Sequence, residues 1–227
     1  MEYTLFNETF KELKALARNH KRVAVSYSGG KDSLVCLDMA SKVFDKVVAV
    51  FFYLVPGLDM IERQLQVARD RYKVEILSYP HWVLARCIKY GIYCDVNWKT
   101  SEAIWEYNSN DLYKAVCHDA KVRHIIHGGK NSDSFWRRIT ISTISADCIV
   151  YPLKRWKKFD VLSYLKIYNV PVPPSFDGIG SRATGVDLST GSILWMHDKY
   201  PDDYEKIRNV FPYVHAVVKR RDWYGVG

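Results

Sequence analysis

Residues 23–34, Val23-Ala24-Val25-Ser26-Tyr27-Ser28-Gly29-Gly30-Lys31-Asp32-Ser33-Leu34, constrain this chain more than any other stretch. An apolar run meets two glycines and passes into residues suited to starting a helix. That order reads as a buried strand, a tight turn and a helix. Such a turn presents bare backbone N–H groups at the positive end of a helix, with a lysine beside them, and this arrangement binds phosphate. The spacing is not the GxxxxGK[ST] of the common phosphate loop, because both glycines sit directly before Lys31.

The rest of the chain repeats the alternation. Phe6, Phe10, Leu13 and Ala17 recur at helical spacing and predict a helix over 7–20. Strands are predicted at 23–26, 47–54, 74–77, 123–127 and 147–151. Helices are predicted at 32–44, 59–73, 82–89, 102–119 and 159–168, with Asp59 and Glu62 spaced like a capping box. Strands alternating with helices mean an α/β protein: a parallel sheet flanked by helices in three Rossmann-like layers. Ligands in such sheets bind outside the carboxyl ends of the strands, where the strand order reverses. A second glycine turn, Gly128-Gly129, ends the fourth predicted strand and falls on the same rim.

From Val170 the character changes. Pro171, Pro173 and Pro174 precede a stretch bearing Gly178, Gly180, Gly185 and Gly191, which reads as a long irregular segment. A short helix over 201–210 follows, with Pro201 in its first turn, and then a tail that turns from apolar to basic. The expected division is a nucleotide-binding α/β domain over 1–170 and a loop-rich appendage over 171–227.

Five cysteines, Cys36, Cys87, Cys94, Cys117 and Cys148, form no CxxC pair. An odd, scattered set suits reduced thiols in a cytoplasm and argues against a zinc site and a disulfide scaffold. No apolar run approaches the roughly 18 residues of a membrane span. The formal charge is +8, with clusters at 137–138, 154–158 and 219–221. That balance suits a polyanion, either a phosphorylated nucleotide or a nucleic acid such as tRNA or DNA. It is also compatible with a homo-oligomer.

The chemistry concentrates in two constellations. In the first, Gly29 and Gly30 let the backbone approach phosphate oxygens. Ser28 and Ser33 offer hydroxyls, Lys31 offers charge, and Asp32 either holds Mg²⁺ or caps the helix. The second runs from His127 through Gly128, Gly129 and Ser134 to Arg137 and Arg138, whose guanidinium groups suit phosphate or sulfate. His127, at a strand end on the ligand rim, is placed to reach a nucleotide. His118 and His124 do not complete a metal trio with it. Trp195, Trp223, Tyr213 and Tyr224 are candidates to cover the site, with packing as their ordinary use.

Ser28-Gly29-Gly30-Lys31-Asp32-Ser33 resembles the PP-loop of the adenine nucleotide α-hydrolases. Ser134-x-x-Arg137 after a glycine-ended strand resembles the substrate loop of the phosphoadenosine phosphosulfate (PAPS) reductase family. So do Tyr151-Pro152-Leu153-Lys154-Arg155-Trp156 and the helix after it. The resemblance implies nucleotide contacts from Ser26, Ser28, Gly29, Gly30, Lys31, Asp32, Ser33, Gly128, Gly129, Ser134, Arg137 and Arg138. Lys31 and Asp32 would be catalytic, and Asp32 would hold Mg²⁺. It implies cleavage of ATP between the α- and β-phosphates, giving AMP and pyrophosphate and activating an acceptor. The alternatives are binding of PAPS or its unphosphorylated analogue with sulfur transfer, and a non-catalytic nucleic-acid-associated module. The chain departs from the family in its cysteines: PAPS reductases use a cysteine in a C-terminal Glu-Cys-Gly motif, and no cysteine follows Cys148 here, while the family's iron–sulfur type needs paired cysteines, also absent, which implies no iron–sulfur cluster. Thiol-dependent reduction therefore lacks its expected nucleophile.

Overall fold

The computed structural model describes residues 2–96, 101–144, 148–171 and 187–225. Five strands, β1 (Arg22–Ser26), β2 (Lys46–Tyr53), β3 (Glu75–Pro80), β4 (Ile125–Ile126) and β5 (Ile149–Val150), form one sheet in the order β3-β2-β1-β4-β5. All four pairings are parallel. The chain lays β2 and β3 on one side of β1, then crosses to lay β4 and β5 on the other. The order therefore reverses between β1 and β4, and their carboxyl ends open the crevice used by ligands in such sheets.

Successive residues of a strand face opposite ways, and burial follows that rule. Val23, Val25, Ala49, Phe51 and Ile126 point into the main core. Ala24, Val50 and Ile125 point to the other face, where Tyr113 and Val116 of helix α5 (Ser109–Asp119) cover them. The main core is closed by α1 (Glu2–Asn19), α2 (Lys31–Ser41), α3 (Asp59–Tyr72) and α7 (Lys158–Ile167). Helix α2 lies between sheet and outer helices, so Ser33 through Ala40 are all buried. Trp156 anchors the segment before α7: its ring lies 4.9 Å from Phe6, and its indole N–H donates to Thr9 Oγ1 at 3.0 Å.

Several local expectations are corrected. Asp59 and Glu62 do not form a capping box. The N-cap of α3 is Leu58, without a side-chain cap. Asp203 supplies the cap from far along the chain, accepting from the N–H groups of Asp59 at 2.7 Å and Met60 at 2.9 Å. The helix predicted from 102 starts only at Ser109, because Asn108 and Asp111 make a true capping box there. Among the described residues after 187, most are helical: α8 (Thr190–Lys199), α9 (Pro201–Val210) and α10 (His215–Tyr224). Their Ile193, Met196, Ile207, Phe211 and Val218 join the main core, so apolar spacing prevails over glycine content, and Gly191 sits inside a helix. Gly178, Gly180, Gly185, Pro173 and Pro174 lie outside the described residues, as does Asp147. No described helix is long and apolar enough to cross a membrane.

Candidate functional site

The turn after β1 is built as its residues require. Gly29 has φ of +78°, the left-handed region that side chains disfavour, and Gln64 of α3 rests against it, with its Oε1 2.8 Å from where a Cβ would stand. Ser33 braces the loop: its hydroxyl donates to Gly30 O at 2.9 Å and accepts from Ser28 N at 3.2 Å. With Ser33's one hydrogen spent on Gly30 O, Ser28 Oγ is the donor across its 3.2 Å contact with Ser33 Oγ and would turn from that bond to serve a ligand.

The second turn meets the first at contact distance. A Cβ on Gly128 would stand 3.0 Å from the carbonyl carbon of Asp32 and 3.1 Å from Ser33 N. Only glycine lets the two backbones approach so closely. Lys130 then joins the turns electrostatically. It is 2% exposed, and its Nζ lies 2.8 Å from Asp32 Oδ1 and 2.8 Å from Asp133 Oδ1. Burial works against its charge, but the carboxylates of Asp133 and Asp32 outweigh burial and hold its pKa above the ordinary lysine value. Lys31 closes the network, 3.1 Å from Asp32 Oδ2.

Between these turns lies a cavity of about 360 Å³. Ser26, Ser28, Asp32, Ser33, Gly128, Gly129 and Arg137 line it, which brings together seven of the twelve residues expected from sequence. Gly29, Gly30 and Lys31 are not among the lining residues, and both glycines are buried. Ser134 caps the short helix α6 (Phe135–Ile139) by accepting from Arg137 N at 3.0 Å, and Arg138 is exposed.

The opposite wall is aromatic: Phe52, His81, Trp82 and Tyr113. They come from the end of β2, from the start of α4 (Trp82–Lys89) and from α5. His81 stacks on Trp82 with centroids 3.7 Å apart, and Phe52 and Tyr113 stand edge-on within 6.4 Å of the indole. Sequence reading missed this wall, because three elements far apart in the chain build it. Trp195, Trp223, Tyr213 and Tyr224 do not line the cavity. Trp195 packs on Tyr200, and the rings of Trp223 and Tyr224 stand in solvent.

His127 is at the cavity floor, accepting from Gly129 N through Nδ1 at 3.0 Å. Burial, and then the charge of Arg137, push its pKa down to about 4, so it is neutral at pH 7. His124 instead stacks edge-on with His20, and His118 pairs with Asp119 at the surface. Asp32 and Asp133 bring carboxylates to the cavity, the donor type that binds Mg²⁺ together with nucleotide phosphates, but Lys130 bridges them here and no group of three or more His, Cys, Asp or Glu among the described residues is arranged to hold a metal ion.

A family model described as the phosphoadenosine phosphosulfate reductase domain matches residues 22–180. No curated protein matches the chain. Among solved structures, the chain is similar to the U34-tRNA thiolase NcsA from Methanococcus maripaludis with its [4Fe-4S] cluster. Identity is 14%, the match covers 95% of this chain and 80% of that one, and the TM-score is 0.48. The cluster in that protein overturns one sequence expectation, the exclusion of an iron–sulfur cluster. Missing CxxC spacing is no ground for excluding one, since a fold gathers cluster ligands from separate parts of a chain.

Proposed function

From its membership of the phosphoadenosine phosphosulfate reductase domain family, we propose that this chain is an enzyme binding an adenine nucleotide between its two glycine turns. The reaction would be at the α-phosphate: ATP is cleaved to AMP and pyrophosphate as an acceptor becomes activated. The observation that carries this reading is the contact of Gly128 with the Asp32–Ser33 backbone beneath an aromatic wall. It makes one cavity with a phosphate end and a base end. A volume of about 360 Å³ suits a ligand of small-molecule size, and the base would lie against His81, Trp82 and Tyr113.

In this mechanism the acceptor attacks the α-phosphorus, the bond to the bridging oxygen breaks, pyrophosphate leaves along the PP-loop, and AMP leaves when a second nucleophile displaces it from the adenylated acceptor. Loop N–H groups and Lys31 offset the charge that develops on the leaving group. Lys31 must leave Asp32 to do so, and Lys130 keeps Asp32 oriented while it moves. Mg²⁺, held by Asp32 with help from Asp133, would supply further neutralisation of the phosphates. Arg137 anchors the far side of the α-substituent, and neutral His127 holds the Gly129 amide in place.

A sulfonucleotide is the second reading, favoured by Arg137, whose planar fork suits a sulfate as well as a phosphate. Incubation with ATP, Mg²⁺ and an acceptor panel, read by AMP and pyrophosphate release, tests the first. Lys31→Met should lower that release by about a hundredfold. No pyrophosphate release with any acceptor, alongside tight PAPS binding, would move the assignment to the second.

A further inference from the structure

Outside the cavity, one surface is not absorbed by nucleotide binding. Helix α6 leaves the second glycine turn and presents Phe135 and Trp136 to solvent, 69% and 74% exposed. Their rings stand 6.1 Å apart at 69°. A single exposed aromatic is ordinary, but here two adjacent ones precede two arginines. Arg137 turns into the cavity and Arg138 turns outward.

A basic segment lies alongside. Asn131 N donates to Lys154 O at 3.0 Å, and Ser132 Oγ donates to Trp156 O at 2.9 Å. These bonds fasten residues 154–156 to the loop that leads into α6. Arg155 is neutralised by Glu8 and Glu12. Lys154 and Arg138 are exposed, and no described carboxylate pairs with either. The mouth of the cavity is therefore edged by flat apolar rings interleaved with uncompensated cations.

We propose that α6 and the segment at Lys154 form a docking surface for a single-stranded nucleic acid. Cations alone would suit any polyanion, but exposed rings add a requirement for π-faces, and bases offer those faces only when unpaired. A protein partner would call for a drier, less charged patch. The placement deepens the reading above, on which it rests for its purpose alone: the strand would be the acceptor, delivered past Arg137.

The test is fluorescence anisotropy with fluorescein-labelled 15-mers of thymidine and of uridine, and a duplex of mixed sequence, in 50 to 200 mM KCl. The full chain should bind both single strands, and bind the duplex more weakly. Phe135→Ala with Trp136→Ala should weaken single-strand binding by about tenfold or more. Arg138→Ala should lower the salt slope by about one, and Trp223→Ala, which removes an equally exposed ring from α10, should change nothing. Photo-crosslinking of the unmodified chain, mapped by mass spectrometry, should place the oligonucleotide on residues 135–138, so the result does not depend on any variant folding. No binding at 50 mM KCl, an unchanged double variant, or crosslinks elsewhere would overturn the proposal. Titration of ATP and PAPS in parallel separates the two ideas. Nucleotide failure with intact oligonucleotide binding sinks the enzymatic reading alone, and the reverse sinks the docking surface alone.

Discussion

Helix α2 carries two aspartates that look alike on paper and differ in what surrounds them. Asp32, at its start, faces Lys130 and Lys31 at the edge of a cavity. Asp38, near its end, is 3% exposed and accepts from Tyr164 Oη at 2.7 Å and from Lys42 Nζ. Tyr72 also reaches it at 3.4 Å. Burial, and then the hydrogen bond to Asp38, push the Tyr164 phenol far above its ordinary value. Both sites pair a carboxylate with lysine, but only Asp32 adjoins open space and two glycine turns. A buried charge pair by itself signals architecture; convergence on a cavity is what makes Asp32 a candidate for chemistry.

The contrast can be broken by mutation. The largest effect is expected from Asp38→Ala, which strands the Tyr164 hydroxyl in the core. Stability in a denaturant titration should fall by about 3 kcal/mol, with nucleotide affinity unchanged in the folded fraction. A drop in affinity as large as for a cavity variant would erase the distinction. Next, Lys130→Met leaves Asp133 without its lysine and Asp32 with Lys31 alone. Calorimetry should read a loss of nucleotide affinity of about tenfold, with less destabilisation than Asp38→Ala because Asp133 can be hydrated.

The third prediction concerns pH. The folded His127 pKa lies near 4, below the ordinary 6.5, so between those values the unfolded chain binds a proton that the folded chain refuses. Its contribution to stability is present above about pH 6.5 and is lost as pH falls towards 4. Thermal melts across that window should show a flatter decline for His127→Gln. The smallest effect is expected at the far end of α3. Asp203→Ala removes the cap supplied to Asp59 and Met60 and should cost about 1 kcal/mol without altering nucleotide affinity. An affinity loss there would mean that α3, through Gln64 against Gly29, transmits strain to the loop.

What the sequence made legible was local. The PP-loop was readable because strand, glycines, lysine and helix start are contiguous, and the second turn because Gly128-Gly129 follows an apolar run. A parallel sheet followed from alternation, but the place where its strand order reverses came only from the pairings. The base-facing wall was not readable, since Phe52, His81, Trp82 and Tyr113 meet only after β2, α4 and α5 have packed. Lys130 stood in plain view within the second constellation, but its role depends on Asp32, which lies nearly a hundred positions earlier. The capping of α3 by Asp203 has the same character: a spacing rule chose Asp59 and Glu62, and a distant carboxylate took the two N–H groups instead. Helix α9 was readable over 201–210, but α8 and α10 were not, because neighbouring glycines and prolines describe permitted backbone and carry no record of the core waiting to bury Ile193 and Val218.

The most direct test of the account is a calorimetric titration of ATP with Mg²⁺, and of PAPS, into the wild-type chain and into Gly128→Val. The account predicts saturable binding of at least one of these nucleotides at one site. It also predicts loss of that binding in the variant, whose new side chain must push the second turn away from Asp32 and Ser33. Binding of neither nucleotide by the wild type, or equal binding by a folded Gly128→Val, would contradict the placement of an adenine nucleotide between the two turns.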